Sequence, residues 1–389
     1  MNQHLKTTDR MQAIQPFHVM ALLAEARRLE ALGQDIIHME VGEPDFPTPT
    51  PIVEAGIRAL QAGHTKYTAA RGLPALREAI AQYYAQRFGV TLSPERIIVT
   101  PGASGALQLV LGAMLNPGDE VLMTDPGYPC NRHFVRLFEG KATTIPVDAS
   151  SRYQLTVEHI QQHWSKASKA VLLASPANPT GTLLTSNDIA ALYQAISQRG
   201  GQLIVDEIYQ GLTYGVPDMT ALTVNMENIW VINSFSKYFG MTGWRLGWVV
   251  APEYAVETLD RLAQNIFLAA PTPAQYAALA AFTPEALAIM EEQRQELQRR
   301  RDFLVPALQE LGFSVRTEPQ GAFYIYAGCE HFSQDAYRLS LDMLAKTGVA
   351  FTPGIDFGSH QANTHVRFAY TTGVERLAEA MERLYQALR

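Results

Sequence analysis

Between residues 97 and 250 the chain repeats one pattern: a short uninterrupted apolar run, a polar break, then a helical pattern. The runs fall at 97–100, 121–124, 142–147, 170–174, 203–205, 229–232 and 246–250, with helical spacing over 73–87, 106–115 and 187–198. A strand with one face in water alternates apolar and polar residues, whereas a strand covered on both faces is apolar throughout. Apolar strands alternating with helices therefore predict an α/β fold: a mostly parallel seven-stranded sheet with helices on both faces.

Outside this region the pattern changes. Residues 1–15 are polar and read as a loose arm, 19–32 has helical spacing between Pro16 and Gly33, and 36–41 reads as a strand. Gly42-Glu43-Pro44-Asp45-Phe46-Pro47 must be a loop. After residue 283 comes a long charged helix at 285–311, then strands at 314–316, 323–326 and 366–369 with helices at 334–346 and 374–388. This predicts a smaller α+β domain. The expected division is an arm (1–15), a large domain (46–283), and a small domain built from 16–45 and 284–389.

Composition narrows the function classes. A net charge of -7 disfavours a nucleic-acid surface. The densest basic cluster, Arg299-Arg300-Arg301, lies in the long helix and reads as a solvated face. Two cysteines, Cys130 and Cys329, lie far apart, which is no disulfide framework and fits a reducing compartment. With no signal-peptide core and no apolar run near the roughly 20 residues of a membrane span, the expected location is the cytoplasm.

In an open parallel sheet, ligands bind outside the carboxyl ends of the strands, so the residues following each strand carry the chemistry. The run 229–232 leads into Ser234-Phe235-Ser236-Lys237, and Arg245 follows eight residues later. A lysine amine becomes a nucleophile toward a carbonyl once desolvation or a nearby cation lowers its pKa. Serine hydroxyls and a planar guanidinium suit a phosphate. A carbonyl and a phosphate on one small molecule suggest pyridoxal 5'-phosphate. Run 97–100 leads into Pro101-Gly102-Ala103-Ser104-Gly105, whose small residues before a helix expose N–H groups to an anion. Tyr128 follows 121–124 and could stack on a ring; Asn178 follows 170–174; Asp206 ends 203–205, where a buried carboxylate needs a partner such as a protonated pyridine nitrogen. In His365-Val366-Arg367-Phe368-Ala369-Tyr370 alternation puts Arg367 on a face with His365 and Ala369, suited to clamp a carboxylate. Singly, each residue has an ordinary explanation as a turn, a helix cap, core packing or a surface ion pair. Together, five strand ends carry groups for one ligand.

The order and spacing of Asn178-Pro-Thr-Gly, Asp206-x-x-Tyr209, Ser234-x-Ser-Lys237 and Arg245 resembles the fold-type I pyridoxal-phosphate enzymes, specifically the class I/II aminotransferases of the aspartate aminotransferase superfamily, over nearly the whole chain. The resemblance implies that Lys237 forms the Schiff base with the cofactor and then moves the Cα proton, and that Asp206 pairs with the pyridine nitrogen. Asn178 and Tyr209 would bond the ring oxygen, and Tyr128 would stack on the ring. Ala103, Ser104, Ser234, Ser236 and Arg245 would hold the phosphate. Arg367, with Gly42 and Asn178, would bind the substrate, Arg367 taking its carboxylate. Tyr67 resembles the tyrosine that reaches the neighbouring subunit's phosphate, implying a homodimer. The implied reaction passes an amino group from an L-amino acid to a 2-oxo acid, with 2-oxoglutarate expected, by ping-pong turnover. Some aspartate-using relatives carry a lysine where this chain has Ser104; Arg71, near the Tyr67 loop, could supply a cation, or be solvated. Aromatic and aliphatic donors stay open, as do a carbon–sulfur β-lyase on the same scaffold and a non-catalytic, cofactor-binding regulator.

Overall fold

A computed structural model describes residues 8–12, 14 and 16–389. Among these, the largest sheet is formed by β1 (Ile97–Thr100), β2 (Glu120–Asp125), β3 (Lys141–Pro146), β4 (Ser168–Ala174), β5 (Gln202–Asp206), β6 (Ile229–Ser234) and β7 (Gly247–Val250). Their spatial order is β1-β7-β6-β5-β4-β2-β3. Strand β7 runs antiparallel to both neighbours, and every other pairing is parallel. Consecutive residues feed two different cores: Val171 and Leu173 pack on one side of the sheet, Ala170 and Leu172 on the other. This is the physical reason the runs are apolar throughout, since each fully buried aliphatic side chain is worth about 1.5–3 kcal/mol. Edge strand β3 departs from that expectation; most of its residues are exposed or half-buried, and it ends at Pro146, which has no N–H to offer.

The chain leaves β2 toward the β3 edge and leaves β4 toward β5. The crevice at the carboxyl ends of β2 and β4 is thus the topological switch point, where such sheets bind ligands. Three helices bear on it, α1 (His18–Ala31), α2 (Gly102–Met114) and α3 (Pro129–Leu137), while the long helix α4 (Pro284–Leu311) lies outside it. Helix α2 begins at Gly102, four residues before the spacing predicts, so its first turn starts almost directly off β1. The charged face expected along α4 is only partly solvated. Arg300 and Arg301 are buried, Arg300 bonding the Asp45 carboxylate (2.7 and 3.2 Å) and Arg301 the Pro319 carbonyl (2.9 Å). Paired partners make that burial tolerable, and Asp45 lies in the loop predicted after residue 41.

The C-terminal part holds a three-stranded antiparallel sheet of β8 (Tyr324–Gly328), β9 (Thr352–Pro353) and β10 (His365–Ala369), in the order β9-β10-β8. The strand expected at 314–316 is reduced to one bridge, Ser314 with Gly328. The strand expected at 36–41 shortens to Ile37–His38, paired in parallel with Val349–Ala350. Most of the expected arm (1–7, 13 and 15) lies outside the described residues; Asp9–Gln12 is one helical turn, with Arg10 bonded to the Leu137 carbonyl (3.1 Å). No described helix is long and apolar enough to cross a membrane.

Helix α1 has no side-chain cap of its own. The buried carboxylate of Asp356 supplies one, accepting the N–H groups of His18 and Val19 at 2.7 Å each. A carboxylate there satisfies two orphan donors and faces the positive end of the helix dipole. Asp356→Ala should lower stability by about 1–2 kcal/mol and speed amide hydrogen exchange in the first turns of α1. Unchanged exchange in α1 would show that the carboxylate does not hold it.

Candidate active site

A cavity of about 300 Å³ lies at the carboxyl ends of β4 and β5, walled by the first turn of α2, by Tyr128 before α3, by α1, and by β8 and β10. Lys237 enters it three residues after β6. Its Nζ donates to the Gly42 carbonyl at 2.7 Å. Burial pushes the amine down to about 8; Arg367 and Arg245 add to this, and Glu43 opposes it. That brings a neutral, nucleophilic amine within reach at physiological pH. Gly42 is glycine for a steric reason: a Cβ there would lie 2.2 Å from the Tyr324 hydroxyl.

Asp206 ends β5, and its carboxylate is buried. Among the described residues it accepts one hydrogen bond, from the Ile208 amide at 3.1 Å. Burial pushes it up to about 7. Its neighbour Glu207 is pushed up to about 8 by burial but is saturated, accepting from Ala221 N (2.6 Å), Gln210 Nε2 (2.7 Å) and Thr220 Oγ1 (3.1 Å). The contrast matters. Glu207 is a structural acid with its donors in place, whereas Asp206 faces a cavity with capacity left for a cationic donor.

On the opposite wall, Arg367 Nη1 donates to Asn178 Oδ1 (3.0 Å), while Nη2 donates to the Glu40 carbonyl (2.5 Å) and to Thr352 Oγ1 (3.3 Å). Its guanidinium carbon lies 4.3 Å from the Tyr324 ring centre and 4.8 Å from that of Phe357, and buried Nε has no partner among the described residues. Tyr209 and Tyr324 share a hydrogen bond of 2.9 Å between hydroxyls.

The remaining end suits an anion. Ala103 and Ser104 lie in the first turn of α2, with Ser236 and Arg245 beside them on the cavity wall. Gly102 sits at φ +72°, and a Cβ there would come within 2.7 Å of Arg245 Nη2. A side chain at 102 would therefore push the guanidinium off the helix N-terminus, where cation and backbone amides together favour a phosphate. Ser234 does not line the cavity. It stands behind Ser236, accepting the Ser236 N–H (3.0 Å), with its hydroxyl 3.1 Å from the Leu246 carbonyl.

The structure thus brings Gly42, Ala103, Ser104, Tyr128, Asn178, Asp206, Tyr209, Ser236, Lys237, Arg245 and Arg367 around one cavity. Besides Ser234, it leaves two predicted residues elsewhere. Tyr67 is 81% exposed, outside the cavity. Arg71 pairs with Glu95 (2.7 Å) and Asp260 (3.5 Å), so within this chain it offers no cation to the cavity. Sequence reasoning missed Tyr324, Phe357 and the α1 wall of Phe17, Val19, Met20 and Leu23. Tyr324 had a signal, as its strand was predicted; the α1 wall had none, because only tertiary packing brings residue 19 beside residue 356.

Pyridoxal phosphate fits this donor set: an anion site, a lysine amine for its aldehyde, two groups for its ring oxygen, and an unsaturated buried carboxylate for its ring nitrogen. The carboxylate provides a test without catalysis. With a folded pKa near 7 against roughly 3.9 unfolded, Asp206 stays protonated in the folded apoprotein after the unfolded chain has released its proton. Stability from this group is full at low pH and is lost as pH rises toward and through about 7. Asp206→Asn should therefore unfold at a higher temperature than wild-type apoprotein at pH 8, with the gap narrowing at pH 5 and closing only below about pH 4, while binding the cofactor more weakly. A less stable variant at pH 8 would show that the carboxylate is already paired.

Comparison with known proteins agrees with this geometry. The sequence profile described as aminotransferase class I and II matches residues 34–384. The chain is 37% identical over 383 residues to the (5-formylfuran-3-yl)methyl phosphate transaminase of Methanocaldococcus jannaschii, covering 98% of this chain and 99% of that one. It is 36% identical to the valine–pyruvate aminotransferase of Mycobacterium tuberculosis, covering 97% and 98%. A crystal structure of an aminotransferase from Mycobacterium tuberculosis superposes with a TM-score of 0.95 at 34% identity, covering 99% of both chains. The chain belongs to the class I and II aminotransferases, fold-type I enzymes that use pyridoxal 5'-phosphate.

Proposed function

We propose that this aminotransferase takes the amino group from an L-amino acid with an apolar side chain and passes it to a 2-oxo acid. The carrying observation concerns charge. Among the described residues the cavity is lined by three cationic side chains, Lys237, Arg245 and Arg367. The cofactor aldehyde, the phosphate and the substrate α-carboxylate take one each. No cation remains for a side-chain carboxylate, and the wall of Phe17, Val19, Met20, Leu23 and Phe357 is apolar apart from the Asp356 carboxylate, which is taken up by the first turn of α1. 2-Oxoglutarate is the acceptor we propose; its second carboxylate, one methylene farther from the α-carbon than aspartate's, would reach past this chain's three cations to one supplied by a neighbouring copy.

Each residue's part follows from its position. Bound pyridoxal phosphate supplies the electron sink. Asp206, ionised once paired, holds the ring nitrogen protonated. Arg367 clamps the α-carboxylate, its guanidinium steered by Asn178 and the Glu40 carbonyl. The substrate Cα hydrogen then faces Lys237, whose lowered pKa suits it to take a proton and return it. Helix α1 keeps water from the apolar side of the cavity.

The enzyme works as a homodimer in which Tyr67 completes the neighbouring site; its exposure, with Ile57 and Leu60 exposed on the helix Thr50–Gln61, supports this, and a monomer in sedimentation at working concentration would remove it. It acts in the cytoplasm, a reading supported by two cysteines without a disulfide and open to cell fractionation. Residues 16–45 join 284–389 in a small domain beside 46–283, which the pairing of Ile37–His38 with Val349–Ala350 supports and limited proteolysis would test.

The direct test adds single amino acids to the holoenzyme without an acceptor. Valine, leucine or phenylalanine should convert the visible absorbance to the near-ultraviolet form, and aspartate should do so poorly. Lys237→Ala should abolish conversion, and Arg367→Ala should raise the amino-acid KM roughly 10–100-fold, the loss of about 1.5–3 kcal/mol of charged hydrogen bonding. Aspartate as the best donor would overturn the apolar assignment. Pyruvate accumulating while the visible band persists would point to β-elimination.

A further inference from the structure

Tyr324 carries no role in the reading above, yet three groups of the site converge on it. It is the first residue of β8 and 1% exposed. In the β8–β10 ladder it lies opposite Ala369, two residues from Arg367, so Arg367 is its diagonal neighbour on the same face. That register sets the Arg367 guanidinium carbon 4.3 Å from the ring centre. The hydroxyl reaches the other way, 2.9 Å from the Tyr209 hydroxyl, and rests so close to Gly42 that any side chain there would collide with it. Gly42 in turn receives the Lys237 amine through its carbonyl.

We infer that Tyr324 is a positioning residue joining the two halves of the site: its hydroxyl donates to Tyr209 and so aims the Tyr209 proton at the cofactor ring oxygen, while its ring face holds Arg367 for the substrate carboxylate. The inference rests on the proposed placement of Tyr209 against that oxygen. A phenol has one proton. If Tyr209 gives its own to the cofactor, the bond between the phenols must run from Tyr324 to Tyr209. Donation into Tyr209 polarises it and strengthens the bond it makes onward. Among the described residues the Tyr324 hydroxyl has no other hydrogen-bond partner. A phenylalanine would serve the cation contact equally well, and a buried hydroxyl is costly unless bonded, so the Tyr209 bond accounts for the oxygen. Burial raises both phenols above the ordinary tyrosine value, which keeps both as O–H donors through the working pH range.

The test compares Tyr324→Phe, Tyr324→Leu and Tyr209→Phe as holoenzymes. It reads the pH midpoint of the visible absorbance, cofactor affinity and the amino-acid KM. Tyr324→Phe keeps the ring, so KM should stay within about twofold, while the pH midpoint rises by roughly 0.4–1 unit, the equivalent of one neutral hydrogen bond. Tyr209→Phe should raise the midpoint further. Tyr324→Leu should repeat the midpoint shift and also raise KM several-fold, in line with a cation–ring contact of about 0.5–2 kcal/mol. A wild-type midpoint in Tyr324→Phe, alongside a shifted one in Tyr209→Phe, would overturn the inference alone. A wild-type midpoint in Tyr209→Phe would overturn the placement of Tyr209 itself. Because Phe differs from Tyr only by the oxygen, folding of that variant is not at risk from lost packing, and its bound cofactor confirms it.

Discussion

Asp206 ends the central strand of the large sheet with its carboxylate buried and one backbone amide bonded to it. An acid in that state holds its proton near neutral pH until a cation arrives to face it. The rest of the site is arranged so that the arriving group is held from every side. In the proposed reading Arg245 and the first turn of α2 would fix the phosphate end, Lys237 would meet the aldehyde, and Asn178 and Tyr209 would flank the ring oxygen. The fold holds a buried carboxyl whose ionisation is unfavourable until the loaded enzyme pairs it, so cofactor binding and stability are linked.

That arrangement depends on chain segments far apart in sequence. The Gly42 carbonyl meets Lys237, the Glu40 carbonyl meets Arg367, and Asp356 caps α1. The small β8–β10 sheet brings Arg367 over the carboxyl ends of the large sheet, where Asn178 meets it. The residues proposed for the cofactor sit on the large sheet and Arg367, the proposed carboxylate clamp, on the small one. Tyr324 is the side chain where the two meet.

Much of this was legible in the sequence because burial on two faces leaves a distinctive trace. The strand at 170–174 is apolar at every position since Val171 and Leu172 enter different cores. Polar residues at strand ends then stand out, and Lys237, Asp206 and Asn178 were found that way. What escaped depends on contacts that no local pattern encodes. The antiparallel direction of β7 is set by pairing with β1 and β6, not by its own composition. Arg300 and Arg301 look like a solvated face until Asp45 and Pro319 are placed against them. The segment 314–316 has the residues of a strand but finds one bridge partner. Tyr324 reads as core until Tyr209 and Arg367 are seen beside it.

Everything above turns on Asp206 being unsatisfied in the apoprotein and paired in the holoenzyme. Isotope-edited infrared spectroscopy of labelled aspartate, with Asp206→Asn to identify the band, measures this directly. The expected carboxyl titrates near pH 7 in the apoprotein and becomes fully ionised on adding pyridoxal phosphate, remaining so at pH 5. A carboxylate already ionised at pH 5 in the apoprotein, or one whose protonation ignores the cofactor, would contradict it.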